Sequence, residues 1–131
     1  GNPASSAAAL ANLEIMESEN LAARSAEMGD YLYERLQSLR KHTIVGDVRG
    51  GKGLLCALEL VKNRETKEQF PKDAQLDKLA VHALREQRML GRAGNVIPIA
   101  PPLCISRDEI DEAVDRLDAA LKTIGGKLSV A

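Results

Sequence analysis

Gly91-Arg92-Ala93-Gly94-Asn95-Val96-Ile97-Pro98-Ile99-Ala100-Pro101-Pro102-Leu103, running on into Cys104-Ile105-Ser106-Arg107-Asp108-Glu109-Ile110, joins a lone arginine, a short strand and a paired-proline stop to a capped helix. Pro98 cannot donate to a ladder, so Val96 to Ile99 is expected as an edge strand or a bulge. Ser106 with Glu109 is a capping box, and Ile110, Ala113, Val114, Leu117, Leu121 and Ile124 form an apolar stripe at helical spacing. Gly125-Gly126 is expected to stop that helix. The stretch reads as a site-bearing loop on a small α+β unit.

Working back from it, Asp73 is expected to cap a helix with Leu76, Leu79, Ala80, Ala83 and Leu84 inward, leaving His82 off the stripe. The polar run Lys62 to Lys72 reads as an exposed connection. Before it the period shortens: Ile44 to Arg49 reads as a short strand, and Leu54, Cys56, Leu58 and Leu60 alternate with their neighbours in a second, joined to the first as a hairpin through Gly50-Gly51-Lys52-Gly53. That turn has a lysine among glycines, but it lacks the P-loop spacing and feeds a strand rather than a helix N-terminus, so a phosphate cradle is not expected. Asn20 is expected to cap a helix carrying Leu21, Met28, Leu32, Leu36 and Leu39, closed by Arg40, Lys41 and His42. Gly1-Asn2-Pro3 opens an Ala-rich helix whose small residues allow close packing. The order helix, helix, hairpin, helix, strand, helix implies a small antiparallel sheet with helices packed on one face.

The 131 residues, 44 % of them hydrophobic, suit a single domain over residues 1–131 with a real core. Aromatics make up 2 % and there is no Trp, so no stacking platform for bases exists, and a net charge of −1 without charge blocks removes the electrostatic case for nucleic acid or an anionic membrane. Cys56 and Cys104 lie far apart without CxxC spacing, which points to a reduced chain with both thiols buried rather than to a disulfide or a metal site. No apolar run reaches membrane-span length and no signal-type N-terminus is seen, so the cytoplasm is the expected compartment.

A free-standing enzyme should show a nucleophile with its base, a carboxylate pair or a ligand cluster. The chain offers none of these. His42 reads as a helix-end residue, and the acidic side chains fall on polar helix faces. Arg92, among glycines beside a strand end, is the exception, since a guanidinium on a loop can clamp a carboxylate with two parallel hydrogen bonds.

Several pieces in order carry a resemblance: Gly1-Asn2-Pro3 with Ala7-Ala8-Ala9-Leu10, Gly46-Asp47-Val48-Arg49-Gly50 with Gly53-Leu54-Leu55, Glu59-Leu60-Val61-Lys62 with Thr66-Lys67, and Ala100-Pro101-Pro102-Leu103 with Glu109-Ile110-Asp111. Together they resemble the C-terminal part of class III aminotransferases, fold type I enzymes that use pyridoxal 5'-phosphate. The resemblance implies that residues 1–20 form a connecting helix and 21–131 the body of the small domain. It also implies a large domain of the same protein that carries the Schiff-base lysine, the aspartate facing the pyridine nitrogen and most cofactor contacts, and a homodimer. No cofactor is then expected on this chain alone, which would be inactive.

In that family a hydroxyl residue contacting the phosphate lies just upstream of the Gly-Asn-Pro element, which makes Gly1, Asn2 and Pro3 the cofactor-proximal candidates. Enzymes resembling the ornithine and 4-aminobutyrate types place a carboxylate-binding arginine where this chain has Pro98, which disfavours that branch. Those resembling the ω-amino acid or amine:pyruvate transaminases use a movable arginine further upstream, and Arg92 is the matching candidate, about one residue nearer the prolines than the family pattern. The implied reaction moves an amino group from an amine or ω-amino acid to a keto acid such as pyruvate. The competing expectations are a stand-alone, non-catalytic binding domain of the same fold and a helical module assembling through its last helix.

Overall fold

The computed structural model describes residues 1–128 and has the α+β architecture expected. Its elements are α1 (Pro3–Ser18), α2 (Leu21–Gln37), a 3-10 turn (Ser38–Lys41), β1 (Val45–Arg49), β2 (Cys56–Leu60), a second 3-10 turn (Lys72–Ala74), α3 (Leu76–Glu86), β3 (Val96–Ile99) and α4 (Arg107–Leu128). The sheet runs β1-β2-β3, antiparallel throughout, with β2 in the centre. Pro98 lies opposite Ala57 on the edge strand β3, where its missing N–H is harmless.

Period-2 burial explains the sheet's one-sided core. Cys56, Leu58 and Leu60 are buried on β2 together with Val45 and Val48 on β1 and Ile97 on β3. These side chains meet Met28, Leu32 and Leu36 of α2, Ala80, Ala83 and Leu84 of α3, and Ile110, Val114, Leu117, Leu121 and Ile124 of α4 in one cluster. On the opposite face Arg49 bridges Glu59 at 2.7 Å, a polar pair directed to solvent. The three helices α2, α3 and α4 thus cover one face and leave the other wet.

Close backbone approach sets where α2 lies. A Cβ on Gly29 would fall 2.3 Å from the carbonyl carbon of Gly53, so glycine is required where α2 crosses the hairpin turn. Gly53 itself sits at φ +82°, a conformation that costs glycine little. Arg64 fastens the 62–72 connection by donating to the carbonyls of Val45 (3.0 Å), Arg40 (2.8 Å) and His42 (2.7 Å).

Local expectations fail at several places. Asn20 stands at the start of α2 but makes no side-chain cap; at φ 49°, ψ 44° it is the left-handed residue that reverses the chain between α1 and α2. Asp73 lies within the second 3-10 turn, and Gln75, also left-handed, precedes α3. Leu39 is buried as expected but from the 3-10 turn rather than from the helix. Gly125-Gly126 does not stop α4, which continues to Leu128, because glycine in a last turn weakens a helix without forbidding it. Cys56 is buried, whereas Cys104 is exposed, since the segment after the paired prolines runs over the surface.

α1 differs from the other helices in having no buried residue. Leu10, Leu13 and Ile15 are 62 %, 55 % and 51 % exposed, distributed around the helix rather than on one stripe.

Candidate functional site

The Arg92 loop leaves the C-terminal end of α3 and feeds β3, so its position is set by two elements anchored in the core. Met89 packs partly buried against the core ahead of it and Ile97 is buried behind it, while Gly91 and Arg92 between them are exposed. The Arg92 side chain makes no hydrogen bond or ion pair with any described residue.

That distinguishes Arg92 from most of the chain's arginines. Arg24 donates to the Ile105 carbonyl at 2.9 Å, Arg35 to Asp111 at 2.6 Å, Arg40 to Asp47 at 2.7 Å and Arg107 to Glu27 at 3.0 Å. Each ties one element to another. Arg92 instead lines a shallow depression with Asp77, Lys78, Val81, Arg85, Gly91 and Ala93. Its lining holds three cations and one carboxylate, and neither Asp77 nor Arg85 has a side-chain partner. A surface of that charge favours an incoming anion, and the guanidinium is free to form a paired contact with a carboxylate.

Sequence reading missed Asp77, Lys78 and Arg85. A signal existed: Asp77, Val81 and Arg85 recur at helical spacing on one face of α3. Packing of the Arg92 loop against that face is what makes them one site.

Gly1, Asn2 and Pro3 serve the start of α1. The Asn2 side-chain oxygen accepts from the Ala4 N–H at 3.0 Å, and Pro3 occupies the first turn, where a missing N–H costs nothing. No hydrogen bond or ion pair joins them to Arg92.

Both histidines hold structural contacts. His42 Nε2 lies 2.7 Å from Asp118, which also pairs with Lys41 at 2.8 Å, and the two fasten the first 3-10 turn to α4. The Lys41 hydrogen bond, with His42 adding to it, holds the Asp118 carboxyl below the usual aspartate range. His82 is exposed beside Glu86, 3.2 Å away. No cluster of metal-ligating side chains occurs among the described residues, and no described helix is long and apolar enough to cross a membrane.

The described residues do not fit pyridoxal phosphate by themselves. A lysine that forms a Schiff base must be partly desolvated to be nucleophilic, and every lysine here is exposed. The N-terminus of α1 is a poor phosphate cradle, because Pro3 has no N–H and those of Ala4 and Ser6 are taken by Asn2.

Comparison with known proteins identifies the family. The chain is 43 % identical over 132 residues to the uncharacterised aminotransferase YhxA of Bacillus subtilis, covering 95 % of this chain and 29 % of that protein. It is 39 % identical to a taurine–pyruvate aminotransferase of Bilophila wadsworthia, over 95 % of this chain and 28 % of the relative. Among solved structures, an (S)-enantioselective omega-transaminase from Thermomicrobium roseum superposes with a TM-score of 0.84 at 38 % identity, over 88 % of this chain and 26 % of that one. The chain thus spans under a third of the length of these relatives. The profile of the family described as aminotransferase class-III matches residues 1–121, and the chain belongs to that family.

Proposed function

We propose that the chain is the C-terminal small domain of a pyridoxal-phosphate-dependent class III aminotransferase, with residues 1–20 as the connecting helix and 21–131 as the domain body. The whole enzyme moves an amino group from an amine or ω-amino acid to a keto acid such as pyruvate. It acts as a homodimer, and this chain alone is inactive. The observation that carries the proposal is Arg92: an exposed guanidinium without a partner, on a loop anchored at both ends, in a depression with three cations and one carboxylate. Arg24, Arg35, Arg40 and Arg107 are committed to the fold, whereas Arg92, like Arg85 beside it, keeps its guanidinium available for a ligand.

In this reading the family's dependence on pyridoxal phosphate is met by the large domain, which supplies the lysine and the electron sink. The small domain contributes orientation. Arg92 receives the carboxylate of one substrate in a bidentate contact and leaves the position when an apolar amine enters. Closure of the small domain over the large one excludes water from the reacting centre. Gly1, Asn2 and Pro3 begin the connecting helix at the cofactor's edge.

The coding sequence upstream of Gly1 tests the assignment. The proposal predicts a continuous reading frame carrying a large domain with a Schiff-base lysine, an aspartate for the pyridine nitrogen and a Ser or Thr just before Gly1. A start codon adjoining Gly1 would contradict it and leave a binding domain without catalysis.

A further inference from the structure

A cavity of about 620 Å³ lies between the end of the 62–72 connection, the second 3-10 turn, the first turn of α3 and the last turn of α4. Phe70, Pro71, Leu79 and Leu128 give it apolar walls, and Lys62, Lys78 and Lys127 stand in its lining. Its volume lies within the range of small-molecule sites.

Three features of the lining bear on what could occupy it. Phe70 is the only phenylalanine of the chain; with Leu79 and Leu128 it is part-buried against the core, so these walls are held in place from behind. No Asp or Glu lines the cavity, although the chain as a whole carries a net charge of −1. The lysines are also unequally engaged. Lys62 pairs with Glu68 at 2.7 Å and Lys78 donates to Gln75 at 3.3 Å, whereas Lys127 has no partner among the described residues.

An apolar body alone would leave those ammonium groups beside a dry surface, and a bare anion would leave the apolar walls wet. A cation-bearing ligand would meet the uncompensated charge of Lys78 and Lys127. We propose that this cavity binds a small amphipathic anion, a molecule with an apolar chain or ring ending in a single carboxylate, its body against Phe70, Leu79 and Leu128 and its charge between Lys78 and Lys127. Lysine suits this role as a mobile point charge that does not demand bidentate geometry. The site has its own walls and shares only Lys78 with the Arg92 depression.

The test is titration of the ¹⁵N-labelled chain with octanoate, with octanol and octylamine as probes of the same body and different charge. Saturable shifts confined to the amides of Phe70, Ala74, Leu79 and Leu128 are expected with octanoate, with weaker binding of octanol and none of octylamine. Replacing Lys127 and Lys78 together (K127Q/K78Q) is expected to weaken octanoate about fivefold, the scale of exposed charge contacts, and to leave octanol unchanged. The proposal is overturned by no saturable shift, by equal binding of octanol and octanoate, or by an unaffected double variant. Shifts at the same amides that track protein concentration without ligand would assign the cavity to a second copy of the chain and overturn it too.

Discussion

Asp111 shows at the residue scale how polar contacts hold the helices in place. It accepts from the Tyr31 hydroxyl at 2.8 Å and from Arg35 at 2.6 Å, joining α4 to α2, and Arg107 lies over the Tyr31 ring at 4.9 Å. The Tyr31 hydrogen bond first, then that of Arg35, holds the Asp111 carboxyl below its ordinary 3.8. A depressed folded-state value contributes stability above the unfolded value and loses it as pH falls through the folded one. The melting temperature is therefore expected to fall with acidification below about pH 4, and Asp111→Asn to lower it near neutrality while flattening its acid dependence. An Asp111→Asn chain with the unaltered pH profile would show that other carboxylates, such as Asp118, carry the effect. The two cysteines separate as clearly: burial pushes the Cys56 thiol up while Cys104 is exposed. One equivalent of a thiol reagent is expected to react fast under native conditions, and peptide mapping should find it on Cys104.

Among the elements, α4 was the most legible in the sequence, because its start signal is local and its stripe is long. The Ser106 N–H donates to Glu109 at 2.8 Å, and the Glu109 N–H donates back to the Ser106 hydroxyl at 3.3 Å, the reciprocal box read from the sequence. Ser106→Ala is expected to cost about 1 kcal/mol in denaturant unfolding. The strands were legible for the same reason, as period-2 burial on β2 needs only its own residues. The start of α2 was legible at Asn20, but not its left-handed, uncapped conformation, and the start of α3 fell on the left-handed Gln75 rather than on Asp73; both conformations answer to the packing of the segments they join. The depression beside Arg92 was half legible. Arg92 stood out by its glycine neighbours, but Asp77 and Arg85 become its neighbours only when the loop folds back on α3.

For the whole molecule, the exposure of α1, which buries no residue, is the main departure from a self-sufficient domain. Leu10 and Leu13 share one side of α1 and Ile15 and Met16 lie elsewhere on it, all of them exposed. The isolated chain is expected to self-associate, with sedimentation coefficients that rise with concentration and fall back on replacing Leu10 and Leu13 by Ser. A concentration-independent monomer would contradict that expectation.

In the proposed function, Arg92 is the residue that receives a substrate carboxylate. Steady-state kinetics of Arg92→Gln in the full-length holoenzyme, with pyruvate and an apolar amine as substrates, test it most directly. The account predicts that KM for pyruvate rises roughly tenfold to a hundredfold, the scale of a lost charge-assisted contact, while KM for the amine changes little. An unchanged KM for pyruvate, or an equal loss for both substrates, would contradict it.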